Sequence, residues 1–313
     1  MKNKINISVV IPCYRSEKTI TKVVDEVVET LKNRKGKFEI ILVNDCSPDD
    51  VWNEIIKLSI KYPSVVTGIS LSRNFGQHAA LMAGYRESKG EIVVSMDDDG
   101  QTNPKEIWKL VDRLDDGYDA VFAKYPVNKE SLFRRFGSWL NDKMSIWLLG
   151  KPDAIKGTSY NAIRRFVIDE MIIYNNPYPY IGGLVFRITK KCGEVEIEHK
   201  EREYGKSGYS LGKLISLILN GFTAFSVKPL RIATFVGFTS TIFGFVLGII
   251  IVIRRLTNSI VEIGYASIMA SILFIGGILM LILGLIGEYI GRIYICINNS
   301  PQYVIKERIN KRH

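Results

Sequence analysis

From Ile7 to about Tyr125, short runs of β-branched and aliphatic residues alternate with stretches whose apolar positions recur every three or four residues. The runs Ile7 to Ile11, Phe38 to Val43, Val65 to Leu71, Glu91 to Met96 and Ala120 to Ala123 predict strands, because such residues bounded by turn formers fit a pleated, buried surface. The intervening segments predict helices. Strands alternating with helices this regularly make a mainly parallel sheet covered on both faces, since parallel neighbours need crossover connections. In such sheets ligands bind beyond the carboxyl ends of the strands.

After Tyr125 the alternation stops. Ser131 to Gly150 places Leu132, Phe133, Phe136, Trp139, Leu140, Ile146 and Trp147 among basic residues, as an amphipathic helix does. Its apolar side suits core packing as well as contact with a membrane surface or an acceptor. Leu211 to Phe225 has similar character and directly precedes a strongly apolar run, which marks it as a juxtamembrane helix. Two uncharged runs follow, Ile232 to Ile253 and Tyr265 to Gly287. Each has the roughly 20 residues that a helix needs to cross about 30 Å of hydrocarbon. Apolar all round, they suit lipid better than the core of a soluble domain.

Lys228 and Arg231 precede the first run, and Arg292, Lys306, Arg308, Lys311 and Arg312 follow the second, against Arg254 and Arg255 between them. That balance favours a multi-pass protein with both termini in the cytoplasm. The expected organisation is a cytoplasmic domain over 1–210, a juxtamembrane amphipathic helix over 211–230, a two-helix transmembrane domain over 231–291 and a basic cytoplasmic tail over 292–313. Gly244-x-x-x-Gly248 and Gly287-x-x-x-Gly291 would let helices approach closely, which permits a homo-oligomer.

In 313 residues, 42 Lys and Arg stand against 32 Asp and Glu, a formal charge of +10. Such an excess suits nucleic acid, anionic lipid or phosphate-bearing ligands. Much of it lies around the apolar runs and the tail, where anionic lipid accounts for it without nucleic acid. Cys13, Cys46, Cys192 and Cys296 form no Cys-x-x-Cys pair, so neither a zinc site nor a disulfide framework is indicated. The short apolar stretch ending at Ile11-Pro12 is too brief for a cleaved signal peptide.

Three polar clusters fall at predicted strand ends: Pro12-Cys13-Tyr14, Asn44-Asp45-Cys46-Ser47 and Asp97-Asp98-Asp99-Gly100-Gln101. They should converge on one crevice. The acidic run reads either as a solvated turn feeding a helix that starts near Pro104 or as the ligand set of a divalent cation, because crowded carboxylates repel one another unless a cation compensates. Its place after the buried Ile92-Val93-Val94 run, with Asp45 in the equivalent position two strands away, favours the cation.

Val9-Val10-Ile11-Pro12-Cys13-Tyr14, Val43-Asn44-Asp45-Cys46-Ser47 and Ser95-Met96-Asp97-Asp98-Asp99-Gly100-Gln101 resemble the family 2 glycosyltransferases. With Ser72-Arg73-Asn74-Phe75-Gly76, Arg202 to Tyr209 and the two trailing apolar runs, the chain is similar over nearly its whole length to the polyprenyl-phosphate glycosyltransferases. These include dolichol-phosphate mannose synthase, undecaprenyl-phosphate glucosyltransferase and the aminoarabinose transferase. The resemblance implies a nucleotide-sugar-binding GT-A, Rossmann-like sheet followed by two transmembrane helices in the bacterial cytoplasmic membrane. It implies a nucleotide-sugar donor, by family a UDP-sugar, and a polyprenyl (undecaprenyl) phosphate acceptor.

By the same resemblance Pro12, Tyr14, Glu17, Asp45, Asp97 and Lys124 bind the nucleotide-sugar. Asp97, Asp99 and Gln101 engage Mg2+ or Mn2+; Asp98, Asp99 and Arg202 are catalytic; Arg202, Lys206, Ser207, Arg134 and Arg135 meet the acceptor phosphate. Two departures stand out. The relatives' acidic residue shortly after the tyrosine is displaced, with Ser16 in its place and Glu17 next. Where glucosyltransferase-like members have Gly-Asp-Phe-Arg-Leu, this chain has Gly157-Thr158-Ser159-Tyr160-Asn161, without a carboxylate base. None is needed by a phosphate monoester whose second pKa is about 6, so a single inverting displacement is expected. Rival readings are a processive polysaccharide synthase, against which the chain lacks a Gln-x-x-Arg-Trp segment, and a non-catalytic membrane scaffold that binds a sugar nucleotide.

Overall fold

A computed structural model describes residues 5–125, 146, 155, 157–197, 228–257, 264–298 and 300–310. The chain divides into two compact units, one comprising Met1–Leu214 with Asn299–His313, the other Ile215–Asn298.

The first unit is built on one sheet. Its strands are β1 (Ile7–Cys13), β2 (Phe38–Asn44), β3 (Val66–Leu71), β4 (Ile92–Ser95), β5 (Ala120–Lys124), β6 (Asn161–Arg164), β7 (Cys192–Glu196) and β8 (Ile305–Ile309), in spatial order β7-β5-β6-β4-β1-β2-β3-β8. The first five coincide with the predicted runs. β1 to β4 are parallel neighbours, as are β5 and β7. β6 opposes β4 and β5, and β8 opposes β3. The sheet is therefore mixed: six strands run one way, and β6 and β8 run against them.

Helix α1 (Ile20–Lys32) buries Ile20, Val23, Val24, Val27, Val28 and Leu31, the spacing of an amphipathic helix. With α2 (Val51–Lys61) and α4 (Ile107–Leu114) it packs on Val9, Ile11, Ile40 and Leu42. Side chains alternate across a strand, so Val10 faces the opposite layer. There α3 (Gln77–Glu87) approaches so closely that a Cβ at Gly84 would lie 2.3 Å from Val10 Cγ1. The shorter helices α5 (Arg165–Ile172) and α6 (Ile181–Ile188) complete the described helices of this unit.

The segment expected as a basic tail contains β8. Trp52 Nε1 donates to Glu307 at 3.2 Å, Arg308 pairs with Glu87 at 2.9 Å, and Asn310 Nδ2 donates to the Ser59 carbonyl at 2.8 Å. Lys306, Glu307 and Arg308 are exposed, the charged surface that keeps an edge strand from recruiting another chain.

The second unit holds α7 (Lys228–Leu256) and α8 (Tyr265–Ile297). Phe274–Ile297 of α8, with a mean hydropathy of 2.0, is long and apolar enough to cross a membrane; the apolar stretch of α7, Ala233–Val246, is shorter. Of the two expected spans, one thus meets the length criterion among the described residues. A Cβ at Gly237 would lie 4.0 Å from Ile282 Cδ1. Gly244, Gly287 and Gly291 have open space within 4 Å among the described residues.

Candidate active site

The strand order reverses between β1 and β4, and at their carboxyl ends opens a cleft of about 1050 Å³. This is where an open α/β sheet binds its ligand. Pro12 to Thr19, Asp45, Pro48, Asp49, Asn74, Gly76, Gln77, Asp97, Asp98, Asp99, Gln101 and Ser159 line it. Among the described residues that line it, six carboxylates, those of Glu17, Asp45, Asp49, Asp97, Asp98 and Asp99, stand with the cations Arg15 and Lys18. A cation beside these carboxylates would favour the entry of an anionic ligand.

Each of the loops after β1 and β2 turns through a non-glycine residue in the left-handed region, Arg15 at φ 59° and Cys46 at φ 50°. Such a backbone is strained and persists where neighbours fix it. The Arg15 N–H donates to Ser47 Oγ at 2.7 Å, Glu17 N–H to Asp49 Oδ2 at 3.0 Å, and Asp50 N–H to Glu17 Oε2 at 3.0 Å. These bonds lock the two loops together as one wall.

Asp45 is buried and accepts the backbone N–H groups of Phe75 at 2.7 Å and Gly76 at 2.8 Å. Burial pushes its carboxyl above the usual range, and the two amides oppose that. Gly76 has φ 90°, a conformation that suits glycine and that turns both amides onto one carboxylate.

The acidic run divides its work. Asp98 Oδ2 accepts the Tyr14 N–H at 2.8 Å, and the Asp98 carbonyl accepts Thr19 Oγ1 at 2.6 Å, so Asp98 fastens β4 to the loop after β1. Burial pushes its carboxyl up to about 7; the Ser16 hydroxyl and Tyr14 amide pull it down, and Asp97 raises it. Asp97 Oδ1 accepts Gln77 Nε2 at 2.7 Å and its Oδ2 accepts Ser159 Oγ at 2.5 Å. Asp99 Oδ1 accepts the Gln101 N–H at 3.0 Å.

Pro12, Tyr14, Glu17, Asp45, Asp97, Asp98, Asp99 and Gln101 therefore share one cleft. Lys124 does not line it; its ammonium lies 3.6 Å from Glu196 on the neighbouring β7. Arg134, Arg135, Arg202, Lys206 and Ser207, and both amphipathic segments apart from Ile146, lie outside the described residues. Gln77, Ser159 and Tyr125 were not among the expected site residues. Burial pushes the Tyr125 phenol up to about 12, and the Asp97 and Asp99 charges add to the rise while the Thr102 hydroxyl opposes it.

The family model for glycosyl transferase family 2 matches residues 8–177, and that for the GtrB C-terminal hairpin matches 228–293. The chain is 33% identical over 307 residues to the undecaprenyl-phosphate 4-deoxy-4-formamido-L-arabinose transferase of Proteus mirabilis, covering 97% of this chain and 94% of that protein. Its counterpart in Photorhabdus laumondii is 31% identical over 303 residues, covering 96% and 93%. Among solved structures, glucosyl-3-phosphoglycerate synthase from Mycobacterium tuberculosis in complex with Mn2+ and UDP-glucose superposes with a TM-score of 0.53 at 18% identity, over 70% of this chain and 77% of that one. That likeness establishes the fold. A switch-point cleft walled by carboxylates defines a nucleotide-binding α/β enzyme. The chain belongs to glycosyl transferase family 2, and within it to the polyprenyl-phosphate group.

Proposed function

We propose that this enzyme moves one sugar from a nucleotide-sugar, with UDP as the nucleotide, onto undecaprenyl phosphate at the cytoplasmic face of the bacterial inner membrane, inverting the anomeric centre. The observation that carries this is the single cleft holding Asp45 and the Asp97 to Gln101 run, in a chain that aligns nearly end to end with two undecaprenyl-phosphate transferases.

Tyr14 is 43% exposed on the cleft wall and offers a ring on which a base can stack, while Asp45 closes the nucleotide end. Asp97, Asp99 and Gln101 present the hard oxygen atoms that Mg2+ or Mn2+ takes. No group of three or more acidic, His or Cys side chains forms a protein-only metal cluster among the described residues. A cation of this kind uses one or two carboxylates and completes its shell with substrate phosphates and water. Bound there, the metal would stabilise charge on the departing diphosphate. The acceptor phosphate attacks as a dianion, so no side chain has to remove a proton. Arg202, Lys206, Ser207, Arg134 and Arg135 are the proposed partners of that phosphate.

We infer two membrane crossings, α7 and α8. β3 precedes both helices and β8 follows them, yet the two strands share a sheet; a chain that returns to its own domain crosses an even number of times. Membranes containing the protein, given undecaprenyl phosphate and a panel of labelled nucleotide-sugars, should pass one label into the lipid phase at one sugar per lipid. A growing polymer would identify a processive synthase, and donor binding without consumption a scaffold.

A further inference from the structure

Two side chains from distant parts of the chain, both neutral, hold the Asp97 carboxylate in the cleft. Gln77 opens α3, directly after the Phe75 and Gly76 amides that hold Asp45. Ser159 lies just before β6, whose antiparallel register pairs Asn161 with Ser95. Carried two residues further, that register sets Ser159 opposite Asp97.

We propose that Gln77 and Ser159 are positioning residues that clamp the Asp97 carboxylate in the orientation required by the divalent cation, and that segment 75–77 ties this orientation to the nucleotide end of the cleft. The proposal rests on the metal role proposed for Asp97. An ionised carboxylate accepts at about four lone-pair positions. The bonds from Gln77 and Ser159, one to Oδ1 at 2.7 Å and one to Oδ2 at 2.5 Å, fix the carboxylate plane. A lysine or arginine in either place would hold the group equally well and cancel the charge that attracts the metal. A glutamine amide and a serine hydroxyl orient it without neutralising it. The three bonds from Phe75, Gly76 and Gln77 to Asp45 and Asp97 further mean that a shift of this short segment displaces both carboxylates together.

The test is a Mn2+ titration of detergent-solubilised full-length protein with saturating UDP, reading free Mn2+ by electron paramagnetic resonance, alongside thermal melts and initial rates. Ser159→Ala and Gln77→Met should each weaken Mn2+ binding about tenfold, the scale set by losing one hydrogen bond to a charged group. Melting should stay near that of the unmodified protein, and excess Mn2+ should restore most of the rate. Ser159→Thr, which keeps the hydroxyl, should bind Mn2+ as the unmodified chain does. If the unmodified protein binds Mn2+ and both variants bind it equally well, the clamp is overturned. If the unmodified protein binds no Mn2+ beside UDP, the metal role itself fails and the clamp with it. Weakened binding that Ser159→Thr does not rescue would also contradict the clamp.

Discussion

Ser159 Oγ donates to Asp97 Oδ2 at 2.5 Å although 62 residues separate them. Nothing local in the sequence joins the two. They meet because β6 enters the sheet antiparallel between β4 and β5, which returns its first residues to the carboxyl end of β4.

Asp45 should tolerate no amide. In Asp45→Asn one of the two backbone donors, Phe75 or Gly76, would face the new NH2 group, and a buried donor left without its acceptor costs about 1–3 kcal/mol. Lower stability by denaturant unfolding, together with weaker UDP binding by calorimetry, is the expected result.

Gly90 is a packing test remote from the chemistry. A Cβ there would lie 2.5 Å from the Ser8 backbone nitrogen and 2.7 Å from the Ile7 carbonyl carbon, atoms that cannot turn aside as a side chain would. Gly90→Ala should lose about 1–3 kcal/mol, the usual cost of overpacking. A melting temperature unchanged from that of the unmodified protein would contradict this packing.

Acid should weaken the catalytic unit partly through His78. Its Nδ1 is buried with no hydrogen-bond partner among the described residues, its ring packs edge-on to Tyr180 at 5.3 Å, and burial lowers its pKa from 6.5 to about 4. The folded state thus resists a proton that the unfolded chain accepts. Stability from this group is complete above pH 6.5 and falls progressively as pH drops towards 4. The total loss is on the order of 3 kcal/mol. Unfolding of His78→Gln across that range should show a shallower pH dependence.

Topology can be read from the C-terminus. Because β8 lies in the same sheet as β3, a fluorescent protein fused after His313 should glow in the cytoplasm and an alkaline phosphatase fused there should stay inactive. Active phosphatase would contradict two crossings.

The sequence makes β1 to β5 legible because each is a continuous apolar run between turn formers. It hides β6 and β7, which owe their places to pairing with strands distant in the chain. β8 is hidden differently. Lys306, Glu307 and Arg308 read as tail, yet on an exposed edge those charges are compatible with a strand. The site divides the same way. Asp45 and Asp97 to Asp99 are legible since they close predicted strands, and strand ends carry the ligand. Gln77 and Ser159 are not, because their approach to Asp97 depends on the start of α3 and on the reversed direction of β6.

If the carboxylates closing β4 act through a divalent cation, chelation should stop the reaction. Label transfer from nucleotide-sugar to undecaprenyl phosphate should fall to background in EDTA, return on adding Mn2+ or Mg2+, and stay at background in a folded Asp99→Asn variant at every metal concentration. Full transfer in EDTA, or full transfer by Asp99→Asn, would contradict the account.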